Sequence, residues 1–376
     1  MSPSYRIVFY VSGHGFGHTS RTIEVIHALL RVRPDTSIVV KTSAPRRLFE
    51  RTLLGRVEMV ELQCDSGMIQ IDSLNVDIDA SIRHARDFQA RLRQLAEAES
   101  AYLKTHGANV VVGDIPPLAS VSAAMAGVPS VAVGNFTWDW IYQGYSDTSA
   151  HQLARDIRHA YQSVTRVLRL PMAGGFDGLQ PVTRDIPFIA RRSRREPDEV
   201  RAVLGEPPRA HGRPLVLMSF GGYGVSGLDT SALAALTDYT IATTDTPARD
   251  NAIKPAPGVL YISEQDLYGR GLKYEDLVRA ADVVVTKPGY GIISEAIAND
   301  TALLYTSRGH FVEYDVLVRE MPKYLRTEFI EQQDLLTGNW SASLKRLLAK
   351  PMPPLRPALD GADVASEEIL SIGSKF

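Results

Sequence analysis

An α/β protein of two similar halves, each built on a parallel sheet, is the fold class this sequence predicts. Three observations carry the prediction. Short apolar runs alternate with helical patterns in two successive series, as strands joined by crossover helices do. A glycine-rich turn directly follows the first strand of each series. The chain has 376 residues, above the roughly 250–300 at which single cores stop growing, so two domains are the default.

The first series opens with residues 7–11, a continuous apolar run bounded by glycine that suits a buried parallel strand. Residues 22–33 set Ile23, Ile26, Leu29 and Leu30 on one helical face. A strand is predicted over 37–41 and a short helix over 45–52. Residues 82–106 have the length and charge pattern of a long amphipathic helix. A third strand, 110–113, ends at Asp114. A small-residue helix over 118–126 is stopped by Gly127-Val128-Pro129, and 130–134 is a fourth strand.

Composition then changes. Residues 181–201 hold Pro187, Pro197 and the arginines 191, 192, 194 and 195, and read as a solvated connector with one short strand, 188–190. The second series has strands at 214–219, 259–262, 283–286 and 302–305, with helices at 274–280 and 292–298. Helical stretches at 333–336 and 341–350, a proline-rich segment and a helix over 363–372 complete the chain. The expected domains are 1–186 and 187–340, with a helical tail, 341–376, crossing back to the first.

Charge and cysteine content remove several function classes. Lys and Arg total 41 against 43 Asp and Glu, a net charge of −2. That balance argues against bulk attraction to nucleic acid or to an anionic membrane. The single cysteine, Cys64, excludes an intramolecular disulfide framework and a multi-cysteine zinc site. No run approaches the ~20 apolar residues of a membrane-spanning helix, and the start lacks a signal-peptide pattern. A soluble, cytoplasmic protein with no integral membrane segment and no nucleic-acid partner is expected.

Three loops stand out. Gly13-His14-Gly15-Phe16-Gly17-His18 lies between the first strand and the first helix. Its glycines permit tight backbone geometry and close approach of a ligand, and the helix beyond offers unpaired amides to an anion. It departs from the dinucleotide fingerprint, because His18 replaces the third glycine and Lys41 stands where a ribose-binding acid would end the second strand. Arg46 and Arg47 leave a 2′-phosphate reading weakened. A plain strand-to-helix turn needs neither imidazole. The second loop, Ser219-Phe220-Gly221-Gly222-Tyr223-Gly224, is its equivalent in the second half, where amides can hold a diphosphate. In the third, Thr286 to Glu295, a glycine turn leads into a helix. A carboxylate at Glu295 can accept paired hydrogen bonds from ribose hydroxyls, or simply complement the helix N-terminus.

Two further segments follow core strands. Asp114 can orient a histidine or hydroxyl, or cap the following turn. Residues 135–142 gather Phe136, Trp138, Trp140 and Tyr142 around Asp139, which suits a sugar cradle or aromatic packing between helices equally. Asp77 and Asp79 read as capping or solvated acids, and the scattered histidines 27, 84, 106, 151, 159 and 211 show no metal spacing. Cys64 reads as a buried thiol.

These residues resemble a family. The loops look like those of GT-B glycosyltransferases, including the bacterial lipid II–forming type. A closer resemblance is to the glycosyltransferase-like N-terminal region of plant L-arabinokinases. It rests on Ser12-Gly-His-Gly-Phe-Gly-His18, Gly113-Asp-Ile-Pro-Pro117, Asn135-Phe-Thr-Trp-Asp-Trp-Ile-Tyr142, Phe220-Gly-Gly222 and Lys287-Pro-Gly-Tyr-Gly-Ile-Ile-Ser-Glu295. These motifs run from residue 7 to about residue 320. Arabinokinases continue into a GHMP-type kinase domain whose phosphate loop this sequence lacks, so sugar-kinase activity by that route is not expected.

The resemblance implies GT-B architecture, two Rossmann-like domains facing a central cleft, with the acceptor on the first and the donor on the second. It implies a metal-independent, inverting glycosyltransferase that uses a nucleotide-diphosphate sugar, foremost a UDP-sugar, with no cofactor and no metal. His18 would be the acceptor's base, with His14 as competitor and Asp114 beside them. Glu295 would hold the donor ribose, and Gly221, Gly222 and Gly289 the diphosphate. Gly17, Tyr223, Lys287, Tyr290, Gly291 and Ser294 would complete the donor loops, and Arg308, Glu313 and Tyr314 would read the donor sugar. Phe16, Asn135, Trp138 and Asp139 are the acceptor candidates. A UDP-sugar 2-epimerase-like enzyme and a non-catalytic nucleotide-sugar-binding module stay open as alternatives, and a homodimer is an expectation.

Overall fold

The computed structural model describes residues 5–221, 224–244 and 258–374. Gly222 and Tyr223 lie outside them. The chain forms two units by its contacts. One takes the residues up to Ile69, Asp77–Ile189 and everything from Ala358; the other takes Gln70–Val76 and Ala190–Pro357.

In the first unit, β1 (Arg6–Val11), β2 (Ser37–Thr42), β3 (Glu58–Glu61), β4 (Val110–Asp114), β5 (Ser130–Phe136), β6 (Arg166–Gly174) and β7 (Thr183–Asp185) make one sheet. Their spatial order is β3-β2-β1-β4-β5-β6-β7, and every pairing is parallel. Strands β4 and β5 are buried at every residue. Both sheet faces are covered, which is why these strands read as unbroken apolar runs.

One face packs on α1 (Phe16–Val32), α2 (Arg47–Leu53) and the C-terminal helix Gly361–Gly373. Ile7, Phe9 and Val11 meet Ile26, Leu29, Phe49 and Ile369 there. The opposite face carries α3 (Ile78–Thr105) and α4 (Pro117–Ala126), with Val8, Tyr10 and Val111 against Phe88, Leu92 and Leu118. The side chain of Asp77 caps α3 by accepting from the Ala80 amide at 2.9 Å. Beyond β5, α5 (Trp138–Gln143) leads to α6 (Thr148–Tyr161), whose Ala160 joins this core.

In the second unit, the strap after Ile189 leads into α7 (Pro197–Leu204). The sheet comprises β8 (Leu215–Met218), β9 (Thr240–Thr243), β10 (Val259–Tyr261), β11 (Val283–Thr286), β12 (Ala302–Thr306) and β13 (Thr327–Ile330). Its order is β10-β9-β8-β11-β12-β13, again all parallel. Counted within each unit, the two sheets share the order 3-2-1-4-5-6. The helices are α8 (Glu264–Gly269), α9 (Tyr274–Ala280), α10 (Tyr290–Ala298), α11 (Tyr314–Glu320), α12 (Gln332–Leu336) and α13 (Ser341–Ala349). Val216, Val283 and Leu304 pack with Trp340, Leu344 and Leu347. Gly361–Gly373 becomes α14.

Several elements differ from expectation. Helix α1 begins at Phe16, not 22, because Gly15 takes a φ of 76° and starts the helix inside the glycine motif. His18 therefore sits in the first helical turn, not in a loop. No strand forms over 188–190: the Phe188 amide donates to Ala358, and Phe188 accepts from the Gly361 amide, so its hydrogen bonds go to the tail. The 341–376 segment divides, with α13 in the second unit's core and α14 in the first's. The arginine run is not simply solvated, since Arg191 is ion-paired to Glu295. Among the described residues no helix is long and apolar enough to cross a membrane.

Ile369 is fully buried in the first core, although it stands 362 positions after Ile7, which shares that core. Ile369→Ala is expected to lower unfolding free energy by about 2–5 kcal/mol. The exposed neighbour Glu367→Ala should change it little. Urea denaturation of both variants checks this.

Candidate functional site

Open parallel sheets bind ligands where the strand order reverses, because neighbouring strands there send their crossovers in opposite directions. In the first unit that point lies between β1 and β4, where Val11 pairs with Asp114 and the Ser12 amide donates to the Asp114 carbonyl at 2.9 Å. The glycine motif leaves β1 at this point. A Cβ on Gly13 would lie 2.1 Å from the Ser43 hydroxyl, which would have to turn away to admit it. No side chain caps the N-terminus of α1.

Asp114 is the centre of a buried cluster. Its Oδ1 lies 2.8 Å from His18 Nδ1 and 2.5 Å from Arg21 Nη2. Its Oδ2 accepts from Arg21 Nε at 2.7 Å and from the Thr22 hydroxyl at 3.0 Å. Arg21 in turn donates to the Asn135 side-chain oxygen, and Asn135 Nδ2 donates to the Pro171 carbonyl at 2.7 Å. Burial pushes the Asp114 carboxyl up, but the Arg21 guanidinium and His18 outweigh it and hold it below the usual carboxylate range. An ionised Asp114 only accepts, so its contact with His18 calls for the proton on Nδ1, and in the neutral ring Nε2 then keeps its lone pair. Arg21 Nη2, 2.9 Å from the same Nδ1, then faces it as a second donor beside their shared acceptor. No hydrogen bond to His18 Nε2 exists among the described residues.

His14 has the opposite polarity. Its Nδ1 accepts from the Met68 amide at 3.2 Å, so the neutral ring carries its proton on Nε2. Its ring stands edge-on to Trp138 at 5.7 Å. Trp138 Nε1 donates to Asp65 Oδ2 at 2.9 Å, and the Ser12 hydroxyl donates to Asp65 Oδ1 at 3.1 Å. The Tyr142 hydroxyl donates to the Gly67 carbonyl at 3.1 Å. The aromatic segment thus fixes residues 65–68 beside the glycine motif. Asp139 is buried and accepts from Arg158 Nε at 2.9 Å, so its carboxylate serves an ion pair. Phe16 and Gly17 are partly buried in the first turn of α1. Cys64 is buried, its thiol pushed up by burial.

The second unit repeats the geometry between β8 and β11. The Ser219 amide donates to Val285 at 3.0 Å, and the Thr286 hydroxyl donates to the Ser219 carbonyl at 2.6 Å, tying the two loops together. Gly221 has a φ of 76° with open space where a Cβ would stand. Helix α10 begins at Tyr290 after Gly289, again with no side-chain cap, and Gly291 lies in its first turn. Lys287 Nζ is 3.3 Å from where a Gly289 Cβ would be. Burial and the positive charge of Arg308, opposed by Glu313, push the Lys287 ammonium down to about 7.

Arg308 is buried. It donates to the carbonyls of Ser73 at 3.3 Å and Pro288 at 3.4 Å and to Glu313 Oε1 at 3.1 Å, and lies 3.4 Å over the Phe311 ring. Tyr314 opens α11, its hydroxyl pushed up to about 12 by burial and by Tyr305, Asp315 and Glu331. The Ser294 hydroxyl turns back to the Tyr290 carbonyl at 2.6 Å, so it is spent inside its own helix. Glu295 is buried, its Oε1 bound by Arg191.

The sequence reading missed Arg21, Asp65, Arg191 and the finger Gln70–Val76, which belongs to the second unit although its flanks belong to the first. In the finger, Asp72 Oδ1 accepts from the amides of Leu74 and Asn75. The Ser73 hydroxyl donates to the Phe220 carbonyl, and the Ser73 amide donates to Gly224. Asp72-Ser73-Leu74-Asn75 is a legible turn signal, and Arg21 stands one helical turn beyond His18. For Asp65 and Arg191 no local signal exists.

No protein-family model matches the chain. An L-arabinokinase of Arabidopsis thaliana is 28% identical over 363 residues, covering 95% of this chain. This chain spans 33% of that protein's length. Among solved structures, CalG4, the calicheamicin glycosyltransferase, is similar with a TM-score of 0.59 at 15% identity, covering 98% of this chain and 95% of that one. A UGT transferase from Siraitia grosvenorii in complex with UDP gives 0.57 at 10% identity, covering 99% and 94%. The glycosyltransferase VinC in complex with DTDP gives 0.56 at 14%, covering 98% and 95%. With two parallel sheets of one strand order and neighbours of this kind, the chain has the GT-B glycosyltransferase fold.

Proposed function

We propose that this protein is a nucleotide-sugar-dependent glycosyltransferase, metal-independent and inverting, with His18 as its base and a UDP-sugar as its donor. The observation that carries the reading is the polarity of the His18–Asp114 pair. A general base must offer a lone pair to the acceptor and a path for the positive charge it gains. His18 offers Nε2, and its Nδ1 proton already faces an ionised carboxylate. His14, with Nδ1 turned to a backbone amide, would offer a proton instead.

In this reading an acceptor hydroxyl or amine gives its proton to His18 Nε2 while its lone pair attacks the sugar's anomeric carbon. The bond from that carbon to the diphosphate breaks on the opposite face, inverting the centre. The diphosphate leaves as an anion, stabilised by the open amides of α10 and by Lys287. Glu295 accepts from the ribose hydroxyls, which suits a ribonucleotide such as the UDP carried by one structural neighbour. Asn135 holds Arg21, and Arg21 holds Asp114, so both act on the base through that carboxylate.

Incubation with UDP-sugars, with and without an acceptor panel, tests the reading: acceptor-dependent release of UDP supports it, and formation of an epimer without acceptor overturns it. Once an acceptor is found, His18→Ala should cost about 10²–10⁴-fold in kcat, with His14→Ala costing less. Nitrogen-15 spectra of the histidines should show neutral His18 with its proton on Nδ1 and neutral His14 with its proton on Nε2. The reverse pattern removes His18 as the base.

Lys287 gives a second test. Its ammonium titrates at about 7, and a bound diphosphate favours the charged form. Above that pH, binding must take up a proton, so UDP affinity should fall as pH rises from about 7 to about 9, by up to tenfold per unit. Lys287→Arg stays charged throughout and should flatten the profile. Calorimetric titration with UDP reads both, and a flat wild-type profile rejects Lys287 as the diphosphate's cation.

A further inference from the structure

We infer that Arg191, in the strap that enters the second unit, is a positioning residue: it fixes the Glu295 carboxylate and so sets the preference for ribose over deoxyribose in the donor nucleotide. The inference rests on the reading of Glu295 as the ribose acceptor. Nothing in the glycine motifs points to Arg191, which stands 104 residues before its partner.

The strap is built to hold this arginine. The Asn299 side-chain amide donates to the Arg191 carbonyl at 3.1 Å, and its oxygen accepts from the Ser193 amide at 2.9 Å. The Ser193 hydroxyl donates to Asp276 Oδ1 at 2.6 Å, and Asp276 Oδ2 accepts from the Lys273 amide at 2.8 Å. The strap is thus anchored at residues 191 and 193 to α9 and to the C-terminal end of α10.

The guanidinium then reaches Glu295. Its Nε lies 2.6 Å and its Nη2 2.5 Å from the same oxygen, Oε1, while Nη1 is 3.9 Å from Glu275 Oε2. It also lies 5.1 Å over the Tyr274 ring, whose hydroxyl is 2.5 Å from Ser219 Oγ at the end of β8. A fork that met both oxygens would compete with a diol. Two donors on one oxygen set the rotation of the carboxylate, and since a carboxylate offers about four acceptor sites, they do not exhaust it.

Glu295 is buried, at 4% exposure. Without a cation beside it, a buried carboxylate takes up a proton, and one of its oxygens becomes a donor. Such a group keeps acceptor sites but loses the charge that strengthens its bonds to two vicinal hydroxyls. A 2′-deoxynucleotide has one of those hydroxyls missing, so the loss falls on the ribonucleotide more than on its deoxy counterpart.

Calorimetric binding of UDP and 2′-deoxy-UDP to the full chain tests this. Wild type should prefer UDP by about 10- to 100-fold, the value of one hydrogen bond to a charged group. Arg191→Met should bring the ratio near one while changing 2′-deoxy-UDP binding less than about threefold, and Arg191→Lys should give an intermediate ratio. Glu295→Gln, measured alongside, separates the two readings. If Glu295→Gln leaves the ratio intact, the ribose role of Glu295 fails. If Glu295→Gln abolishes the ratio and Arg191→Met preserves it, Arg191 is structural only and the inference is overturned. Should the Met variant not fold by thermal melting, an unchanged ratio in Arg191→Lys overturns it in the same way.

Discussion

The Asp114 carboxylate is the constraint on which the first unit's chemistry depends. It ends the central strand β4, beside β1, and accepts from His18, Arg21 and Thr22 at once. All three donors come from the first two turns of α1, so one side chain fixes how that helix leaves the glycine motif. A buried carboxylate is tolerable only when ionic and hydrogen-bond partners offset the loss of water. Arg21 provides the charge, and Asn135 holds Arg21 from the next strand. Helix entry, histidine orientation and strand end are therefore one linked arrangement.

The second unit repeats the topology with the charge reversed. Where the first gathers histidine and arginine around an acid, the second places Lys287 at the switch point and buries Arg308 beside it. Both units start a helix without a side-chain cap after a glycine. Such an end favours an anion, and a cation next to it adds to that preference. In the first unit a carboxylate already faces His18 and Arg21, which fits the proton-transfer role proposed for the His18–Asp114 pair. In the second, no carboxylate is bonded to the Lys287 ammonium among the described residues, which fits the phosphate role proposed for it. In the proposed function the same fold would thus hold the base in one unit and the anion site in the other.

What the sequence made legible follows from which interactions are local. Parallel buried strands leave unbroken apolar runs, and strand ends before glycine turns mark the switch points, so His18, Asp114 and Glu295 could be singled out from their places, while Lys287 entered only through the resemblance. Edge elements such as β3 and β7 went unread because few of their side chains are buried. The helical stretch at 341–350 and the helix over 363–372 were both visible, yet the sequence held no sign that one would join the second core and the other the first. Arg21 and Arg191 were hidden for a related reason. Each completes a site through a partner about 90 to 105 residues away, and no periodicity records such a pairing.

Asp65 shows how much a single guanidinium decides. Like Asp114 it is buried close to the glycine motif, and it accepts from Ser12 and Trp138. Yet burial pushes its carboxyl up despite those donors and His18, while Asp114 is held down. Both lose their hydration, and both accept hydrogen bonds. The difference is Arg21, whose charge and hydrogen bonds act directly on Asp114 and, together with His18, outweigh burial there. Two acids in one unit are thereby driven apart, one kept anionic at the histidine and one eased toward its neutral form in the wall. Without Arg21, Asp114 would face the same desolvation with fewer partners, and the proton on His18 Nδ1 would lose the acceptor that fixes it. The polarity of the histidine is therefore set by a residue that lies in no motif.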